Sequence, residues 1–155
     1  MKKKLQLSGA HRSMHGMSLM EVLIVVTIVG LLGAIGYPSY SDYVVRANRA
    51  AAKSLLLQIA DRQEQFFADN KRYANDLTQL GFASDGFPID NQGAPVASGS
   101  YDRLYAVSIS NTTATTFTVN AAPELGQYDR DGQCGTLTLT HAGQKGRTGS
   151  GDGCW

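Results

Sequence analysis

Glu21 is the residue whose position asks most of the fold. It sits near the start of an almost unbroken apolar run, Met17 to Pro38, that follows a basic leader ending at Gly16. A carboxylate in such a run is costly unless a cation or water meets it, so its first chemical reading is an electrostatic contact. Two cysteines, Cys134 and Cys154, lie near the C-terminal end. Beside an export-type N-terminus they read as one disulfide in an oxidising compartment, with a pair of buried thiols as the alternative. Between them, Lys145 and Arg147 form a basic tip in a stretch of turn-forming residues. Such a tip suits DNA or another anionic partner; two solvated charges in a flexible loop are the simpler account.

Other chemistries find little support. The sequence has no Gly-x-Ser-x-Gly elbow, phosphate loop or His-Glu-x-x-His pair, so we read no enzyme. Asp129-Arg130-Asp131-Gly132 begins like a calcium loop but lacks the remaining ligands, and turn formation explains it. Of the three histidines, His11 and His15 fall in the leader and only His141 lies beyond it. A zinc site would need more ligands than these and the cysteines supply, and no metal or cofactor is expected.

The elements that would position these residues follow from patterning. The leader carries Lys2, Lys3, Lys4 and Arg12 and no acid; without those four, 10 basic residues face 13 acids, and the chain from Met17 onward carries about −3. A mildly acidic surface argues against broad electrostatic binding of nucleic acid and leaves room for a local patch. The apolar run, about 20 residues, is long enough to cross a bilayer as a helix. Cleavage after the run, no cleavage, and cleavage before the run compete; Glu21 and the long polar leader disfavour the first. Past Pro38, Val44, Ala47, Ala51, Leu55, Ile59 and Phe66 recur at helical spacing, widened by Leu56 and Phe67. Arg46, Arg49, Lys53, Arg62 and Glu64 suit the wet faces. Helix exit is expected near Asn70, a short turn at Asp76 to Leu80, and a loop from Asp85 to Ser100. Leu104–Ser110, Phe117–Ala121 and Thr136–Thr140 alternate as strands of an antiparallel sheet, with a turn at Asn111–Ala114 and an exit at Pro123.

Gly16 followed by Met17-Ser18-Leu19-Met20-Glu21-Val22-Leu23-Ile24 resembles the junction of type IV prepilins. The resemblance implies that a prepilin peptidase cuts after Gly16 and methylates the amine of Met17, which stands where that family usually has phenylalanine. The new amine would lie one helical turn from Glu21, and opposite charges at such range attract by several kcal/mol at an effective dielectric constant of about 20. The resemblance also implies that Glu21 meets a neighbouring subunit's amine during assembly, and that Pro38 coincides with a bent or melted segment in the fibre. The stretch Arg62 to Phe82 and the pattern Cys134-Gly135-Thr136-Leu137-Thr138-Leu139 with Cys154-Trp155 are similar to PilE-type minor pilins, whose disulfide-bounded loop lies on the surface.

The expected fold is therefore α+β, a long N-terminal helix packed on an antiparallel sheet of three to four strands. The expected domains are a leader at 1–16, a helix at 17–69 with about 17–37 in the membrane, and a head at 70–155. Expected partners are other pilin subunits through the helix, the prepilin peptidase, the inner membrane before assembly and, with least support, DNA. The protein would be a single-pass inner-membrane precursor that enters an extracellular pilus fibre and serves its assembly, and through it adhesion, twitching motility or DNA uptake. A type II secretion pseudopilin and a membrane-anchored binding domain that never polymerises are the competing readings.

Overall fold

The computed structural model describes residues 17–155, apart from the side chain of Pro38. The leader 1–16, and with it Gly16, lies outside the described residues. The chain forms two units, one ending at Ser39 and a second spanning Tyr40–Trp155. Helix α1, Leu19–Asn70, contributes residues to both.

In the first unit α1 is long and apolar enough to cross a membrane, and none of its apolar window is buried within the chain. Thr27 conceals its hydroxyl by donating to the Leu23 carbonyl at 2.7 Å, one turn back. Among the described residues a Cβ at Gly30, Gly33 or Gly36 would meet nothing beyond the helix itself, so their packing does not require glycine there.

In the second unit α1 buries Val45, Asn48, Ala52, Leu55, Leu56, Ile59 and Gln63, a stripe at three- and four-residue spacing. Leu55, Leu56 and Ile59 are buried as expected, but the first part of the stripe lies one position on: Ala47 is exposed and Val44 only half-buried, and Val45, Asn48 and Ala52 are buried instead. Two of its members, Asn48 and Gln63, are polar and thus invisible to an apolar pattern. Gln63 forms a backbone-like pair with Ala74, donating to its carbonyl and accepting its N–H, both at 2.9 Å. Arg62 donates to the Leu80 carbonyl at 2.8 Å and lies 4.5 Å from the Phe82 ring centroid, while Glu64 accepts from the Tyr73 hydroxyl at 3.0 Å. Arg62 and Glu64, expected on wet faces only, thus clamp the chain that leaves the helix. A 3₁₀ turn, Leu77–Leu80, begins on Asp76, whose carboxylate accepts the Thr78 N–H.

The sheet has five strands, one more than the upper expectation. They are β1 Phe87–Ile89, β2 Tyr105–Ser110, β3 Thr118–Pro123, β4 Leu137–Thr140 and β5 Lys145–Arg147, paired antiparallel in chain order. A short helix, α2 Leu125–Arg130, connects β3 to β4. Tyr105, Val107, Val119, Ala121, Leu137 and Leu139 alternate onto the buried face and share one core with the α1 stripe. Pro123 ends β3 opposite Tyr105, beyond the last residue that β4 pairs, so its missing N–H leaves no ladder bond unmade.

Two corrections concern loops. The stretch 85–100 contains β1 and then a turn in which Asp90 Oδ1 accepts the N–H groups of Gln92 and Ala94, at 2.8 and 2.9 Å. Lys145 and Arg147, read as part of a flexible loop, lie in edge strand β5, where Leu137 faces Arg147 and Leu139 faces Lys145.

Candidate nucleic-acid interface

The C-terminal region is held from three directions. Cys134 and Cys154 are joined, with Cα atoms 5.6 Å apart. The tail runs back along residues 133–136, the N–H of Gly149 donating to the Cys134 carbonyl at 3.0 Å and that of Gly151 to the Gln133 carbonyl at 2.7 Å. A Cβ at Gly149 would strike the Gln133 carbonyl, so the glycines here permit close approach of two backbones and do not mark a floppy linker. Finally, the indole N–H of Trp155 donates to the Gly146 carbonyl at 2.6 Å, and Lys145 Nζ sits 5.6 Å from the indole centroid.

Beneath this surface lies a polar cluster. Asp131, with a side chain 1% exposed, receives Nε of Arg49 at 3.1 Å, a second bond from Nη2 of the same guanidinium, and the hydroxyl of Tyr105. Gln127 donates to the Tyr105 oxygen at 2.9 Å and accepts from Asn48 at 3.0 Å. Arg49 Nη1 also reaches the Gly153 carbonyl at 3.3 Å, which ties α1 to the residue before Cys154. Hydrogen bonding to Asp131 raises the Arg49 pKa against the opposing effect of burial. Burial, reinforced by the bond to Asp131, pushes the Tyr105 phenol well above its ordinary 10. Removing one partner from a buried ion pair typically costs about 3–5 kcal/mol, because the other charge is left uncompensated.

Arg49 was expected on a wet face and Asp131 only as part of a turn; the two meet across 82 positions. Tyr105, Gln127 and Asn48 were given no site role from the sequence, and Trp155 entered only as part of the Cys154-Trp155 pattern. The other expected site residues are spread along the chain: Met17 is exposed, and Glu21 is exposed in the first turn of α1. Lys145 and Arg147 project from β5 on the exposed edge of the sheet, Arg147 with Asp152 at 3.3 Å. Among the described residues no cluster of His, Cys, Asp or Glu could hold a metal ion.

An apolar N-terminal helical segment and a helix-on-antiparallel-sheet head with a disulfide near its end together define a type IV pilin. Residues 11–37 match the prokaryotic N-terminal methylation motif, and residues 38–138 match the profile of the type IV minor pilin ComP family, described as a DNA uptake sequence receptor. The second match spans well over half of the chain, and the chain belongs to that family. It is a structural and receptor subunit of the pilus system, not an enzyme. No individual curated protein matches it. The family match ends before β5, so Lys145, Arg147 and Trp155 lie beyond it.

The buried phenol sets an alkaline limit. A group whose folded pKa is raised contributes stability that is complete below its unfolded value and lost as pH climbs toward the folded one. Stability to urea should hold steady below the ordinary tyrosine pKa of 10 and fall above it. In Tyr105→Phe that slope should flatten, while stability at neutral pH drops by about 1–3 kcal/mol for the lost bonds.

Proposed function

We propose that this chain is a minor pilin that takes up DNA at the pilus surface, with Lys145 and Arg147 of β5 as its first phosphate contacts. Membership of the DNA uptake receptor family is the observation that carries the reading. Two exposed cations on a stapled sheet edge support these contacts, since phosphate contacts position a protein on DNA and dominate affinity. The chain's acidic balance keeps that contact local. DNA ranked last among the partners expected from sequence; family membership moves it to first. Adhesion and twitching would follow only through the fibre.

The same proposal covers the N-terminus. The prepilin peptidase cuts after Gly16 and methylates Met17, the precursor waits in the inner membrane with residues 17–37 across the bilayer, and the mature subunit joins an extracellular fibre. The methylation motif over residues 11–37 supports this. In the fibre Glu21 meets a neighbour's amine, and the open surroundings of Gly30, Gly33 and Gly36 suit close helix approach. Pro38 gives the helix a point where it can loosen on assembly.

Two experiments check this. In sheared fibres Glu21→Ala should be depleted at least tenfold relative to its level in the membrane, whereas Glu21→Asp should retain part of its incorporation; equal incorporation of Glu21→Ala would remove the assembly contact. Fluorescence anisotropy with a labelled duplex should show Lys145→Gln/Arg147→Gln weakening binding and lowering the salt slope by up to roughly 2, about 0.9 for each lost phosphate contact. An unchanged slope would move the contact elsewhere.

A further inference from the structure

The second unit holds an open cavity of about 400 Å³ that nothing yet described uses. Asp42, Arg46 and Arg49 line it from α1, Arg130 from the last turn of α2, Gln133 from the turn that follows, and Asp152 from the tail. Its charges divide into those already matched and those left over. Arg49 is engaged by Asp131, and Asp152 by Arg147. Arg46, Arg130 and Asp42 remain; all three are exposed, and none makes an ion pair among the described residues. Guanidinium groups that face a cavity without partners are free to take an oxyanion bidentately. A free carboxylate beside two of them disfavours a bare polyanion and favours a compact zwitterion, whose phosphate meets the arginines and whose ammonium meets Asp42.

The place of the cavity in the chain says where such a zwitterion comes from. Asp42 follows Pro38, the end of the membrane-length run, by four positions. Even fully extended, the chain keeps it within about 14 Å of that end. The headgroup layer on each side of a bilayer is about 5–7 Å deep. Side chains on a helix lean toward its N-terminus, so Arg46 leans in the direction from which the run enters. Tyr40 and Tyr43, between Pro38 and Arg46, are 68% and 65% exposed. A tyrosine, with an apolar ring and a wet hydroxyl, is what the headgroup layer collects.

We infer that this cavity is a lipid headgroup site. In the subunit still held in the membrane it takes the headgroup of an amino-phospholipid, with Arg46 and Arg130 on the phosphate and Asp42 on the ammonium. The inference rests on the membrane reading above and is independent of the DNA contact. A headgroup bound there holds the head at the membrane surface, and entry into the fibre requires its release.

The test uses the mature chain. Its flotation with phosphatidylcholine vesicles checks the membrane reading by itself; failure to float defeats that reading and the inference with it. Native mass spectrometry from nonionic micelles doped equally with phosphatidylethanolamine, phosphatidylcholine and phosphatidylglycerol then reads the headgroup. Phosphatidylethanolamine should be retained roughly threefold more than either of the others. The quaternary ammonium of phosphatidylcholine donates no hydrogen bond to Asp42, and phosphatidylglycerol offers no cation. Asp42→Asn should abolish the preference, and Arg46→Gln/Arg130→Gln should lower retention of all three lipids by about tenfold. The substituted side chains are exposed and outside the core, so the variants should keep the circular dichroism of the wild type. A chain that floats but retains the three lipids equally overturns the site and leaves the membrane reading standing. So does a double variant that retains them as the wild type does, or a preference that survives Asp42→Asn. A preference for phosphatidylglycerol also overturns it, since the cavity would then be selecting net negative charge.

Discussion

The head depends on the pairing of Arg49 with Asp131. Each charge alone would be expensive at that depth; together, with Tyr105 and Gln127 satisfying the remaining valences, they become a junction. Four parts of the chain end there: α1 through Arg49 and Asn48, β2 through Tyr105, α2 through Gln127, and the tail through Gly153. Apolar packing between helix and sheet supplies most of the driving force but is weakly directional. The ionic junction is directional, and it fixes which part of α1 the tail lies against.

Placement of the tail is what positions the exposed cations for the phosphate contact proposed for them. Edge strand β5 is three residues long, and it contributes no buried side chain to the core. A strand so short gains little from its own pairing with β4. It is held at both ends, by the β4 hairpin on one side and by the Cys134–Cys154 bond with the seated Trp155 on the other. On the chain-entropy account, a bridge closing about 20 residues stabilises by roughly 3 kcal/mol. The same bridge orders the strand that carries both cations, so under the proposed DNA contact the staple would favour binding as well as folding. At the other end of the chain the logic reverses: the first unit leaves its apolar surface uncovered, as suits a helix whose partners are lipid and other helices.

Much of this was legible in the sequence where a periodic signal exists. The apolar run, the helical continuation and strands β2, β3 and β4 all show in side-chain alternation, and the observed bounds differ from those expected by a residue or two. What was hidden lacked such a signal. Strand β1 is Phe87-Pro88-Ile89, too short and too proline-like to read as a strand, and it exists because Val107 and Tyr105 face it. Strand β5 is Lys145-Gly146-Arg147, with no apolar residue at all, and α2 is a six-residue helix containing glycine. Arg49 read as solvent-facing, and Asn48 and Gln63 gave no core signal, because polarity is normally a sign of water. Their placement depends on tertiary partners that side-chain periodicity does not reveal.

The central claim is that the stapled tail presents a DNA-binding face. Fluorescence anisotropy of a labelled duplex with the mature chain, before and after reduction of Cys134–Cys154 by a dithiol, tests it directly, with circular dichroism confirming that the helix and sheet persist. The account predicts salt-sensitive binding by the oxidised chain and at least a tenfold loss on reduction. Equal binding in both states, or none by the oxidised chain, would contradict it.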